Sequence, residues 1–137
     1  MTIVAVVDDS KADRYTVKRR LAKGTEFKEV LEFDAGDTFL KEYFKPLRLD
    51  PESREELIVL MDINIPRLDG FETVAEMERQ LIEGNGVKSC VVMMFSSSEN
   101  PLDRERAKQF EIVKGYIVKP FEIDDISKVN ALATSDH

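Results

Sequence analysis

Five short apolar runs divide this chain, at residues 3–7, 30–33, 57–61, 90–95 and 116–118. Four are nearly continuous rather than alternating, the pattern of strands covered on both faces. The run Val30-Leu31-Glu32-Phe33 contains a charge, which places it near a sheet edge. Between the runs lie segments of helical spacing. Residues 9–23 carry Val17 and Leu21 four apart, and residues 38–44 carry Phe39 and Tyr43 four apart. Phe71, Val74, Ala75, Leu81 and Ile82 mark one face of a helix opening near Asp69-Gly70 and closed by Gly84-Asn85-Gly86. Residues 101–113 start with a helix-compatible proline, and Ile123, Ile126 and Val129 mark a last, weaker helix. Strand and helix alternate five times. The expected fold is α/β, a five-stranded parallel sheet with right-handed crossovers and five helices on its two faces, flavodoxin-like in class.

With 137 residues, 42% of them hydrophobic, one domain spanning 1–137 can bury a core without disulfides. A polar stretch at about 46–56, holding Pro46 and Pro51, reads as a surface loop, and residues 134–137 as a frayed tail. The single cysteine, Cys90, sits in an apolar run and reads as a buried thiol in a reducing cytoplasm. No basic leader with a long apolar stretch opens the chain, and no apolar run approaches the roughly 20 residues that span a bilayer. A soluble, cytoplasmic protein is expected, without membrane insertion. The net charge of −7 argues against direct nucleic-acid binding.

In an open parallel sheet, ligands bind beyond the carboxyl ends of the strands. The first run is followed by Asp8-Asp9, the third by Asp62, the fourth by Ser96-Ser97-Ser98 and the fifth by Lys119-Pro120. Three carboxylates, a hydroxyl and an ammonium therefore converge on one edge. Clustered carboxylates cannot all stay ionised without a cation, and with only oxygen donors at hand the hard cation Mg²⁺ fits better than zinc or copper. A metal beside one carboxylate, with Lys and Ser opposed, suits phosphoryl transfer, in which aspartate can serve as the nucleophile. Each element also has a plainer reading. Asp8-Asp9 can cap the first helix, Asp62 can close an ordinary turn, and Ser96-Ser97-Ser98 can be a polar loop. Lys119 can end a strand in solvent, and Tyr116 can be a packed aromatic. Arg104, Arg106 and Lys108, like Lys18-Arg19-Arg20, read most simply as solvated charge.

Four segments together resemble the receiver domain of bacterial two-component response regulators. They are Val6-Val7-Asp8-Asp9-Ser10, the stretch Met61-Asp62-Ile63-Asn64-Ile65-Pro66-Arg67-Leu68-Asp69-Gly70, Met94-Phe95-Ser96-Ser97-Ser98, and Gly115-Tyr116-Ile117-Val118-Lys119-Pro120-Phe121. The resemblance implies Asp62 as phosphoacceptor, with Mg²⁺ held by Asp8, Asp9, Asp62 and the backbone carbonyl of Asn64. It implies Lys119 and Ser96 as partners of the phosphoryl oxygens, and Tyr116 as an aromatic switch working with Ser96. Asn64 and Ser98 match positions that tune hydrolysis of the aspartyl phosphate, and Lys119-Pro120 matches a cis peptide. Ser96 stands where Thr is common and Ser97 where Ala or Gly is common.

The function so implied is phosphorelay signalling. A sensor histidine kinase or histidine phosphotransfer protein donates the phosphoryl group, and the face of the fourth helix, fifth strand and fifth helix passes the signal to an unknown downstream protein. No effector domain is expected after the fifth helix, so output through protein contact, or a role in relaying or draining phosphate, is expected. Such a domain phosphorylates and dephosphorylates itself and is no turnover enzyme. A haloacid-dehalogenase-like phosphatase fits less well, since its nucleophile lies in an Asp-x-Asp motif on the first strand. A degenerate receiver acting as an unphosphorylated module is the third reading.

Overall fold

The structure is a computed structural model that describes residues 2–23, 29–50, 52, 55–83 and 90–134. Its five strands are β1 (Thr2–Val7), β2 (Glu29–Phe33), β3 (Glu56–Met61), β4 (Cys90–Ser96) and β5 (Val113–Val118). All neighbours pair in parallel, in the order β2-β1-β3-β4-β5. The charged run at 29–33 lies at an edge, as its Glu32 requires, whereas β1 is buried along its whole length.

Helix α1 (Lys11–Leu21) follows β1, with Ser10 rather than an aspartate capping it through a bond from the Asp13 N–H. Helix α2 covers residues 36–49: an α-helical turn Gly36–Phe39, a π-helical turn Leu40–Phe44 and a second α-helical stretch Lys45–Leu49. Helices α3 (Gly70–Glu83), α4 (Pro101–Ala107) and α5 (Ile123–Thr134) complete the alternation. Two packed layers flank the sheet. Ile3, Ala5, Val7, Val59 and Met61 face Phe39, Phe44, Phe71, Val74 and Met77 on one side. Val4, Val6, Ile58, Leu60 and Phe95 face Val17 and Leu21 of α1 and Val129 of α5 on the other.

Three boundaries differ from expectation. The helix before β3 does not stop at Phe44 but runs through Pro46 to Leu49, so the expected loop from 46 begins later. The π-turn explains why: the Lys45 N–H reaches back five residues to the Leu40 carbonyl, widening the helix where a proline ring would otherwise crowd it. Leu47 then continues the packed stripe of Phe39, Leu40, Tyr43 and Phe44. Helix α4 ends at Ala107 rather than near 113, and Phe110 stacks on Phe71 from the following turn, with ring centroids 6.1 Å apart. Strand β5 begins at Val113, three residues before its apolar run. Of the expected frayed tail at 134–137, Thr134 is instead the last residue of α5, and residues 135–137, like the expected stop at 84–86, lie outside the described residues.

The turn from β3 into α3 is closed by a reciprocal cap, with Glu72 N–H donating to Asp69 Oδ1 at 2.8 Å and Asp69 N–H to Glu72 Oε1 at 3.0 Å. Gly70 sits so close to the preceding chain that a Cβ there would lie 2.1 Å from the backbone oxygen of Asp62. Gly70→Ala is therefore expected to cost at least about 2 kcal/mol in urea unfolding. Gly115→Ala, which meets only the flexible end of Met93, serves as the milder comparison.

Candidate functional site

Asp8, Asp62 and Lys119 each stand at or just beyond the last residue of a strand, and the strand ladder fixes all three. Asp8 N–H donates to Phe33 O, Asp62 N–H to Val7 O and Lys119 N–H to Ser96 O, each at 2.9 Å. The sheet thus continues past its ends just far enough to lock these backbones side by side. Asp8 is fully buried, and Asp62 and Ser96 are nearly so. Asp9 is exposed at the mouth. One carboxylate oxygen from each of Asp8, Asp9 and Asp62 falls within a group spanning no more than 4.8 Å.

Lys119 supplies the counter-charge. Its Nζ lies 2.8 Å from Asp8 Oδ2, 2.8 Å from Asp13 Oδ2 and 3.4 Å from Asp62 Oδ2, and 5.2 Å from the centre of the Phe95 ring. Burial works against this ammonium. The bonds from Asp13 and Asp8 and the charge of Asp62 more than offset it and hold its pKa above the ordinary lysine value. Asp62 behaves oppositely: burial, reinforced by the charge of Asp8 and only partly countered by Lys119, raises its pKa to about 6.

One detail bears on a metal. The buried Asp8 Oδ2 has the Lys119 ammonium, 2.8 Å away, as its ion-pair partner. Three grouped carboxylates, two of which share one ammonium, with no sulfur or imidazole among the grouped donors, fit a hard cation. The other oxygen, Asp8 Oδ1, is engaged by the Ser10 N–H at 2.8 Å, and Arg14 Nη1 donates to the Asp8 carbonyl at 2.6 Å.

Around this centre lie the other residues singled out from sequence. The Ser96 hydroxyl accepts from the Ser98 N–H at 3.1 Å. Ser98 Oγ donates to Asp103 Oδ2 at 2.6 Å, tying the loop to the first turn of α4. Tyr116 is half-buried, its hydroxyl donating to the Ser98 carbonyl at 2.9 Å. Arg104 and Arg106 are exposed, as expected of solvated charge, and in addition Arg104 lies over the Tyr116 ring at 4.6 Å and Arg106 over Phe71 at 4.5 Å. Asn64 is exposed on the loop after Asp62, and the Lys119-Pro120 peptide is cis.

On that loop Arg67 adopts φ 67°, unusual outside glycine, and forks onto Asp37 at 2.5 and 2.9 Å, tying the loop to the start of α2. Cys90 opens β4 packed against the core but only partly buried, short of the fully buried thiol expected, and desolvation pushes its thiol up to about 12. Sequence reasoning passed over Asp13. It lies in the first turn of α1, and the partner that gives it a role, Lys119, is 106 positions away, so the sequence carries no local signal for it.

Because Asp62 holds its proton more tightly folded than unfolded, it lowers stability as pH rises through the interval from about 4 to about 6, and by a constant amount above it. In chelator, Asp62→Asn is expected to gain about 1–3 kcal/mol over wild type at pH 7 and nothing at pH 4. Urea titrations at the two pH values check this; an equal gain at both would remove the charge explanation.

Residues 4–130 match the family model described as the response regulator receiver domain. Over 127 residues the chain is 32% identical to protein PilG of Pseudomonas aeruginosa, covering 90% of this chain and 80% of PilG. Among solved structures, the phosphorylated cyanobacterial phytochrome response regulator RcpA is 26% identical, with a TM-score of 0.70 over 98% of this chain and 95% of that one. The Mn²⁺-bound form of response regulator Rcp1 is also 26% identical, with a TM-score of 0.64 over 93% and 87% of the two chains. With its parallel sheet in the order 2-1-3-4-5, its acidic edge and a family match over nearly its full length, this chain belongs to the receiver domains of response regulators, the signalling domains of phosphorelays.

Proposed function

We propose that Asp62 accepts a phosphoryl group from a phosphohistidine, on a sensor histidine kinase or a histidine phosphotransfer protein. The observation that carries this reading is the pairing of a buried, raised-pKa carboxylate with Lys119 at 3.4 Å, next to the buried Asp8 carboxylate that the same lysine meets at 2.8 Å. A carboxylate oxygen of Asp62 attacks phosphorus. The phosphorus–nitrogen bond breaks, the imidazole keeps the electron pair, and Asp62 becomes an acyl phosphate. Lys119 stands where it can follow the new negative charge from the carboxylate to the phosphoryl oxygens. Ser96, buried beside it, offers a hydroxyl whose present partner is a single backbone N–H.

Asp8, Asp9, Asp62 and the Asn64 carbonyl are the groups that would hold Mg²⁺. Bound there, it supplies positive charge for the phosphoryl oxygens. The known phosphorylated state of RcpA and the Mn²⁺-bound state of Rcp1 support the same reading for this relative. The domain turns over no external pool of substrate: the acceptor is its own side chain. Asn64 and Ser98, at the rim of the pocket, set how readily water reaches the acyl phosphate.

Tyr116 acts as the switch. Its hydroxyl anchors to the Ser98 carbonyl, two residues from Ser96, so a shift of the Ser96 loop is felt directly by the ring. The face of α4, β5 and α5 then changes its affinity for a downstream protein partner. Among the described residues no helix is long and apolar enough to cross a membrane, and the quiet thiol of Cys90 suits a reducing cytoplasm.

Incubation with phosphoramidate and Mg²⁺, followed by intact-mass measurement, tests the acceptor. Wild type is expected to gain the mass of one phosphoryl group, removable by hydroxylamine. Asp62→Asn is expected to gain none, and Lys119→Ala to react at least tenfold more slowly. A hydroxylamine-stable label, or one retained in Asp62→Asn, contradicts the assignment.

A further inference from the structure

Asp13 lies outside the group of carboxylates able to share a cation, yet it makes one of the two shortest contacts to the lysine of the site. Its Oδ2 accepts from Lys119 Nζ at 2.8 Å, closer than the 3.4 Å between that nitrogen and Asp62. The two residues are 106 positions apart in sequence, so the contact is made by the fold and not by local chain geometry. Ser10 caps the Asp13 N–H and thereby fixes the first turn of α1 that carries the carboxylate. The Asp13 side chain is 31% exposed against 13% for Lys119, so it closes the lysine from the solvent side.

Resting on the assignment of Asp62 as phosphoacceptor, we propose that Asp13 is a positioning residue that restrains Lys119. It holds the ammonium between α1 and the strand ends, and an incoming phosphoryl anion must compete with it for that ammonium. Of the three carboxylates on Lys119, two belong to the cation group and one does not. Once a cation draws on Asp8 and Asp62, Asp13 is the partner that keeps the lysine in place. Its charge therefore has two opposite effects on ligands: it favours a cation in the pocket and opposes an anion on Lys119. A carboxylate that merely stabilised the start of α1 through the helix dipole would change folding stability alone.

The opposite signs make the test. Mg²⁺ binding is measured by calorimetry, and beryllofluoride binding at saturating Mg²⁺ by fluorine NMR, on wild type, Asp13→Asn and Asp13→Glu. Asp13→Asn is expected to bind Mg²⁺ about twofold to fivefold more weakly and beryllofluoride about threefold to tenfold more tightly, the size expected of one partly screened unit charge. Asp13→Glu, which keeps the charge, is expected to return both constants to within about twofold of wild type, a margin small against one unit charge. If Asp13→Asn leaves both constants unchanged, or moves both in the same direction, the proposed restraint is overturned. It is also overturned if Asp13→Glu behaves as Asp13→Asn. A wild type that binds neither ion overturns the phosphoacceptor reading itself, which separates the two failures.

Discussion

One ammonium among three carboxylates organises the working end of this domain. Lys119 Nζ stands within 2.8 Å of Asp8 and Asp13 and 3.4 Å of Asp62. A buried carboxylate is costly when ionised and alone, and two side by side are costlier. The lysine offsets part of that cost, and the raised pKa of Asp62 shows that the compensation is incomplete. The remaining imbalance is negative, and a divalent cation is what it calls for. The proposed reactivity has the same origin: a carboxylate short of positive charge would attract a metal, and the metal and the lysine would then favour a phosphoryl group on it.

The fold serves this arrangement through backbone more than through side chains. Parallel pairing brings β1 and β3 together at the centre of the sheet, where the connections diverge and leave a crevice. Hydrogen bonds running one residue past the paired segments keep Asp8, Asp62 and Lys119 at fixed mutual positions. The chain then turns sharply. Gly70 lies against the Asp62 carbonyl, and Arg67, in a left-handed conformation, forks onto Asp37. Strain and close approach therefore gather in the loop that follows Asp62, while the strands beneath are ordinary packed aliphatic layers.

Much of this was legible in the residues themselves. Continuous apolar runs marked the buried strands because both faces of a parallel sheet are covered, and the residue after each run pointed to the site. What escaped had local causes. Pro46 was read as a breaker, but a π-turn accommodates it and Leu47 continues the buried stripe. The start of β5 was hidden because Lys114 and Gly115, on an edge strand, need not be apolar. Asp13 drew no notice in the sequence, where it is one of several charges in residues 9–23. Only a contact over 106 positions shows what it faces, and no local pattern encodes that.

The account stands on the claim that the carboxylate edge is incomplete without a cation. The most direct test is the thermal melting temperature at pH 7 with chelator and with saturating Mg²⁺, for wild type and for the Asp8→Asn, Asp9→Asn double variant. Binding to the folded state alone raises the melting temperature of wild type with Mg²⁺ concentration. The predicted result is such a rise in wild type, with the double variant already more stable in chelator and indifferent to Mg²⁺. Identical wild-type melts in chelator and Mg²⁺, or an equal Mg²⁺ response in the double variant, would contradict it.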